Sequence, residues 1–397
     1  MAIASSRQLT CQSCFSTELE VFHEAENVPA NSCLLFDNSK EAQDYPRGKL
    51  ILALCRQCGF IGNLAFDPAL ARYTEGYEEQ QSFSPRFNAF AQELAAGLIE
   101  RHTLHNKTVL EIGCGKGDFL LLLCALGTNR GIGIDPTYMP GRHNGSLPEG
   151  VQFIRDFYSE RYAQHAADLV CCRHTLEHIS NTGEFVAMLR RSIGDTNRTL
   201  VFFELPDVRR VLDECAFWDI YYEHCSYFTL GSLARLFRKC GFEVLRLAKD
   251  FDDQYLLLEA RPSNGGPGLP LKEEDTPEEL FRAVARFQSS IRNMVSRWQE
   301  RIGEMRQAGR RVVIWGSGSK CVAFLNTVGI NGDIDCVVDI NPHRQGKYLP
   351  GSGKLIVAPH FLKSHPPDVV IAMNPIYLGE IRNDLTRFGL TPELLAV

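Results

Sequence analysis

Residues 107–135, KTVLEIGCGKGDFLLLLCALGTNRGIGID, decide how the rest of the chain is read. The run 108–112 is short, apolar and β-rich, and it carries an acid at Glu111. A glycine-dense turn follows (Gly113, Gly115, Gly117), then the apolar run 119–126, which reads as a helix. A second short strand, 131–134, ends on Asp135. Strand, glycine turn, helix, strand and acid make one βαβ unit of a nucleotide-binding α/β sheet. Glycines let the backbone approach a ligand and take up positive φ, and the helix N-terminus offers free amides. An acid about 20 residues on can hydrogen-bond a pair of ribose hydroxyls.

Two details point away from a dinucleotide. The turn reads Gly-x-Gly-x-Gly, with Asp118 where the last glycine of Gly-x-Gly-x-x-Gly belongs. Glu111 at the strand end would repel a pyrophosphate but suits a cationic, phosphate-free ligand. The unit resembles the S-adenosylmethionine loop of class I methyltransferases; a structural α/β turn and an NAD site are the alternatives. The resemblance puts Glu111, Gly113, Gly115 and Asp135 around that cofactor.

The chain has 397 residues, enough for two or three domains with proper cores. Its net charge of -6 and the lack of a basic tract speak against a nucleic-acid partner. The first ten residues, MAIASSRQLT, contain no apolar leader core, and the longest apolar run is far too short to span a bilayer. Fourteen cysteines in such a chain fit a reducing cytoplasm better than a disulfide framework.

Four of those cysteines form two CxxC pairs, Cys11/Cys14 and Cys55/Cys58, roughly forty residues apart. Two such turns close a tetrahedral Cys₄ zinc site, and the strand-like run 50–54 leads into the second turn, so a small zinc-binding β module is expected. A thioredoxin-like dithiol would need a βαβ unit there. Cys33 and His23 lie between the pairs as spare ligands or bystanders. From Ser84-Pro85 a helix is expected, capped by the serine, with Phe87, Phe90, Leu94 and Leu98 on one face. Before it, Tyr73 or Tyr77 either packs or caps the cofactor site.

Further strands are expected at 151–155, 168–173 and 199–205, with a closing antiparallel pair at 242–247 and 254–260. Seven strands at this spacing fit the class I methyltransferase sheet. In such folds an acid beside the adenine amine follows the third strand, here Asp156-Phe157, and His174 after the fourth strand joins the cofactor side. After the fifth strand comes a long aromatic insertion, PDVRRVLDECAFWDIYYEHCSYFTL, read as a loop at the ligand edge of the sheet. Within it Tyr222-Glu223-His224 sets a carboxylate beside an imidazole, which raises its basicity, with a tyrosine able to donate to an oxyanion.

Residues 261–276, RPSNGGPGLPLKEEDT, have the composition of a linker. Thr276-Pro277-Glu278-Glu279 is a capping box that opens a long helix with an apolar stripe from Leu280 to Met305. The stripe packs on the domain that follows or forms a dimer seam. A second βαβ pattern starts at RRVVIWGSGSK and reaches Asp339, a weak sign of a second cofactor and better read as a Rossmann-like domain that holds substrate. PPDVVIAM at 366–373 is a further buried strand, and the final residues look helical.

Three stretches resemble one family, the S-adenosylmethionine-dependent sugar C-methyltransferases of deoxysugar pathways. They are RHTLEHI from Arg173, FWDIYYEHCSYFT from Phe217 and VVDINPHRQGKYLPG from Val337. The resemblance covers nearly the whole chain. It implies an α/β fold: a class I methyltransferase Rossmann-like seven-stranded sheet, an N-terminal zinc-binding β module and a C-terminal Rossmann-like α/β domain, divided at 1–72, 73–262 and 263–397. It also implies that the enzyme takes a proton from the carbon beside a ketone of a nucleotide-linked sugar, and that the enolate takes the methyl. His224 is then the base, supported by Glu223, with Tyr221, His178 and Tyr77 around the substrate and the C-terminal domain on the nucleotide end. The segment EEQQSFSPRFNAF after Tyr77 departs from the family and points to a neighbouring subfamily with another acceptor.

The expected ligands are therefore S-adenosylmethionine, a structural zinc and a small-molecule acceptor, in a monomer or homodimer. An O- or N-methyltransferase would need less acidifying machinery than the Tyr/Glu/His block supplies. A non-catalytic scaffold would have little use for an intact acid-glycine-acid set.

Overall fold

The computed structural model describes residues 9–74, 76–142, 147–194, 198–266, 268–330 and 332–397. Residues 1–8, within the stretch read as lacking a leader, and Pro267 of the expected linker lie outside them.

The N-terminal residues form an antiparallel ribbon, β1 (Leu19–Pro29), β2 (Arg47–Cys55) and β3 (Ile61–Asn63). The middle of the chain supplies β4 (Thr108–Ile112), β5 (Arg130–Ile134), β6 (Val151–Ile154), β7 (Leu169–Arg173) and β8 (Leu200–Pro206). Next come the short β9 (Ser226–Tyr227) and the antiparallel pair β10 (Phe242–Asp250) and β11 (Tyr255–Pro262). Seven of these form one sheet in the order β6-β5-β4-β7-β8-β11-β10, with β11 alone running against its neighbours. β4, β7 and β8 are buried on both faces, as expected of parallel strands sandwiched by helices.

The strand order reverses beside β4, so the carboxyl ends of β4 and β7 border a crevice. β9 comes from the insertion after β8 and pairs with β3 (Ile61 with Tyr227, Gly62 with Ser226), stitching the insertion to the N-terminal ribbon. The insertion itself, expected as a loop, holds a helix, Val208–Glu214, and a single turn, Phe217–Asp219. Its apolar residues Val208, Val211 and Leu212 recur at helical spacing and are all buried.

The C-terminal residues form a five-stranded parallel sheet from β12 (Val312–Trp315), β13 (Val337–Val338), β14 (Ile356–Val357), β15 (Val369–Ala372) and β16 (Glu393–Ala396), in the order β14-β13-β12-β15-β16. The final residues are thus an edge strand, not a helix. Gly389 (φ 73°) turns the chain after the helix Leu378–Arg387, and the remaining run is long enough only to pair with β15.

Thr276 caps the helix Pro277–Gln307, its side chain accepting from Glu279 N while Glu279 reaches back to Thr276 N. The apolar stripe is covered by the chain itself. Phe287 meets Phe22 of β1 edge-on at 6.2 Å, and Trp298 meets Phe324 at 5.2 Å. This helix therefore spans from the N-terminal ribbon to the C-terminal sheet, and a single hydrophobic core runs along it.

Candidate active site

The carboxyl ends of β4, β5, β7 and β8, the insertion, the segment around residues 73–87 and the loop after β12 enclose one cavity of about 1090 Å³. Glu111, Gly113, Gly115, Asp135, Asp156, Phe157 and His174 all face it. So do Tyr77, His178, Tyr221 and His224. Glu223 alone of the expected site residues lies behind the wall, 0 % exposed.

On the β4 side the backbone comes close because it carries no side chains. Gly113, Gly115 and Gly117 have φ of 68°, 53° and 90°. A Cβ on Gly113 would lie 2.0 Å from Thr175 Oγ1. The Asp135 carboxylate accepts from Gly115 N at 2.8 Å and from Thr137 N at 2.6 Å, fixing the loop to the end of β5. Glu111 is 2 % exposed, and among the described residues its Oε2 has no hydrogen-bond partner. Burial pushes its carboxyl up to about 8, against the pull of Arg173 and with the help of Asp135. A buried carboxyl with an open oxygen beside a bare glycine loop fits a cationic ligand such as S-adenosylmethionine.

Asp156 accepts from Tyr162 Oη at 2.5 Å and pairs with Arg161, while Phe157 is exposed at the cavity mouth. His174 faces the cavity, but its ring nitrogens lie 2.8 Å from Glu204 and 3.5 Å from Glu177. Burial alone would lower its pKa, yet the two carboxylates carry it up to about 9.

On the insertion side, three rings meet. His224 lies 4.1 Å from the Tyr221 ring and 4.7 Å, edge-on, from the His178 ring. Burial first, then the neighbouring His178 and His174, hold His224 well below the ordinary imidazole range, so its ring is neutral. Among the described residues its ring makes no hydrogen bond. His178 Nδ1 lies 3.1 Å from the Glu223 carbonyl and 2.9 Å from Tyr73 Oη. A carbonyl only accepts, so that contact needs the proton on Nδ1 and leaves the Nε2 lone pair open.

The support expected from Glu223 is not what the geometry shows. Its carboxylate accepts from Asn31 Nδ2 at 3.0 Å, Ser32 N at 3.2 Å, Ser32 Oγ and Tyr77 Oη at 3.1 Å. The reason is topological: β9 pairs with the N-terminal ribbon and brings the polar turn Asn31-Ser32 under the insertion. Tyr222 is likewise turned inward, with its hydroxyl accepting from Asp67 N at 2.7 Å.

The C-terminal sheet repeats the β4–β5 arrangement across the cavity. Asp339, after β13, accepts from Ser317 N at 2.8 Å and Asn341 N at 2.8 Å, as Asp135 does from its own loop. Gly316 (φ 104°) and Gly318 keep the loop bare, and Ser319, Lys320 and Arg344 also face the cavity. Sequence reading missed Tyr73 as the partner of His178, and Glu79, which pairs with Lys116 at 3.2 Å over the glycine loop. Nothing in their spacing marks either one, because both contacts join segments far apart in the chain.

The four CxxC sulfurs converge. Cys11 Sγ is 3.7 Å from Cys58 Sγ, Cys14 Sγ is 3.5 Å from Cys55 Sγ, and all four lie within 4.8 Å of one another. Tetrahedral zinc with Zn–S near 2.3 Å requires S···S of about 3.8 Å, so the set fits that ion. Cys33 and His23 are not part of it: Cys33 faces the cavity near Ser319 and Arg344, and His23 packs on Phe287.

A seven-stranded sheet with one reversed strand next to its edge, and a bare glycine loop closed by an acid, define a class I methyltransferase. Residues 85–247 match the family described as a methyltransferase domain, and residues 270–390 match the family described as a C-methyltransferase C-terminal domain. The chain is 28% identical over 295 residues to the C-methyltransferase NovU of Streptomyces niveus, spanning 70% of this chain and 69% of that protein. Among solved structures it is similar to the 1,6-didemethyltoxoflavin-N1-methyltransferase of Burkholderia thailandensis, with S-adenosylhomocysteine bound (16% identity, TM-score 0.33, 44% of this chain and 79% of that one). It is also similar to the riboflavin-derivative dimethyltransferase RosA of Streptomyces davawensis (16% identity, TM-score 0.36, 45% and 56%). The two matched domains and the likeness to NovU support an S-adenosylmethionine-dependent C-methyltransferase. Among the described residues no helix is long and apolar enough to cross a membrane.

Proposed function

We propose that this enzyme methylates a carbon next to the carbonyl of a small acceptor, a nucleotide-linked keto-deoxysugar or a related compound, through an enolate. The observation that carries the reading is the His224 imidazole, neutral, without a hydrogen bond among the described residues and tilted beside the Tyr221 ring, in the same cavity as the glycine loop. His224 takes the proton from the acceptor carbon as that C–H bond breaks, and the electron pair passes to the carbonyl oxygen. The Tyr221 hydroxyl, held neutral by burial, donates to the oxyanion that forms. S-adenosylmethionine supplies the methyl group; the enolate carbon forms the new bond as the bond to sulfur breaks.

Glu111 and Asp135 hold the cofactor's cationic and ribose parts, with Gly113 and Gly115 giving it room, and Asp156, Phe157 and His174 line its far end. His178 and Tyr77 frame the acceptor. The loop after β12, with Asp339, Lys320 and Arg344, takes the nucleotide end, an assignment favoured by its likeness to the β4–β5 loop. Cys11, Cys14, Cys55 and Cys58 hold a structural zinc. The chain is best divided at 1–72, 73–262 and 263–397.

The test is solvent deuterium exchange at the acceptor carbon of candidate nucleotide-linked ketosugars, without S-adenosylmethionine. Wash-in at one carbon that later carries the methyl supports the reading. Methyl transfer to oxygen or nitrogen with no wash-in overturns it.

A further inference from the structure

Glu177 is the conspicuous unassigned group in the cavity. It sits in the single turn Leu176–His178 after β7, is 2 % exposed, and among the described residues neither of its carboxylate oxygens has a hydrogen-bond partner. Leaving a buried carboxylate without donors is costly, so the arrangement needs a reason. One of its oxygens and a ring nitrogen of each of His178 and His224 lie within 4.8 Å of one another.

The surroundings narrow what it can pair with. Arg173 is committed to Glu204 at 2.8 Å. The thiols of Cys172 and Cys225 are pushed up by burial and stay neutral. The same holds for the phenols of Tyr73 and Tyr221. That leaves imidazoles: His174 at 3.5 Å on one side, outside hydrogen-bonding geometry, and the His178–His224 pair on the other.

We infer that Glu177, rather than Glu223, is the carboxylate that balances the charge on the His178–His224 pair once the acceptor's proton has arrived there. This rests on the reading of His224 as the base. Glu177 acts through the imidazoles and is a positioning residue. A proton on neutral His224 would otherwise create an uncompensated cation in a buried site, next to two further histidines. A carboxylate held ready, with no hydrogen-bond donor among the described residues and only the His174 imidazole facing it at 3.5 Å, stabilises that cation at the moment it forms.

The test uses the full-length protein with its bound metal. Glu177→Gln should lower kcat about tenfold to a hundredfold, below the roughly 10²–10⁴ that a positioned base contributes. It should also move the acidic limb of the pH–rate profile to lower pH, because a nearby anion holds an imidazole's pKa up. Cofactor affinity should stay unchanged. If Glu177→Gln lowers the melting temperature, Glu177→Asp keeps the charge and should retain the wild-type limb; a limb displaced as far as in Glu177→Gln overturns the inference. A wild-type rate and profile in Glu177→Gln also overturn it. The two readings fail separately. Deuterium exchange that survives His224→Ala sinks the base assignment. Exchange lost in His224→Ala but unchanged, with its pH profile, in Glu177→Gln sinks this one alone.

Discussion

The Tyr77 hydroxyl donates a hydrogen bond to the Glu223 carboxylate at 3.1 Å, joining the segment before the glycine loop to the insertion after β8. The same carboxylate takes Asn31 and Ser32 of the N-terminal ribbon, so three parts of the chain converge on one buried charge. That makes Glu223 a keystone of the cavity wall and frees the imidazoles from it.

Glu223→Gln should therefore act on stability before it acts on proton transfer. The amide turns an NH₂ toward groups that already donate, so the variant should lose about 2–3 kcal/mol, on the scale of a hydrogen bond to a charged group. Urea unfolding reads this directly. An unchanged midpoint would remove Glu223 from the network.

Much of this site was legible because its pieces are local. The glycine turn, Glu111 and Asp135 sit in one βαβ unit, whose spacing constrains them. Each CxxC turn likewise brings two sulfurs together within four residues. The seven strands were readable from short apolar runs, most of them buried on both faces. What stayed hidden depends on long-range pairing. β9 is two residues long, and its pairing with β3 decides where Glu223 points. Adjacency in Tyr-Glu-His suggested a carboxylate–imidazole couple, but these residues form a turn, closed by His224 N on the Tyr221 carbonyl, that hands the Glu223 carboxylate to Asn31 and Ser32. The final strand was misread because four residues carry too little periodicity to tell strand from helix.

Glu111 gives a pH-dependent signature. Its carboxyl, ordinarily near 4.5, is raised by burial to about 8, so the fold favours the neutral acid. The stability this contributes is complete below pH 4.5 and is lost as pH rises through 8. A cation bound beside it favours the carboxylate, so S-adenosylmethionine binding at pH 7 should release a proton. Calorimetry in two buffers of different ionisation enthalpy measures the release, and Glu111→Gln should abolish it. A binding enthalpy independent of buffer would put the cofactor's positive charge elsewhere.

Cys55 is fully buried between the ribbon and its partner cysteines. Metal analysis should find about one zinc per chain, and Cys55→Ser should lose it and destabilise the ribbon, since binding free energy at such a site is folding free energy. The ribbon carries Asn31 and Ser32, so loss of the metal should also lower acceptor affinity by loosening the Glu223 network. A zinc-free protein with wild-type melting temperature and activity would refute the assignment.

His224→Ala isolates the chemical step. The ring makes no hydrogen bond among the described residues, so its removal should cost packing alone, with little effect on the glycine loop. A positioned base contributes roughly 10²–10⁴ in rate, and kcat should fall by that factor while S-adenosylmethionine affinity holds. Burial and two neighbouring histidines keep the imidazole neutral in the free enzyme, so the wild-type rate should persist well below pH 6.5 before the base is protonated. Tyr221→Phe should cost less than His224→Ala, because it removes one donor to charge that grows in the transition state. Among the described residues the neighbouring His178, with its Nε2 lone pair open and its Nδ1 fixed by the Glu223 carbonyl, is the other imidazole in ring contact with His224. If deuterium exchange at the acceptor carbon continues at the wild-type rate in His224→Ala and stops in His178→Ala, the proton goes to His178, and Tyr73 becomes the group that orients the base.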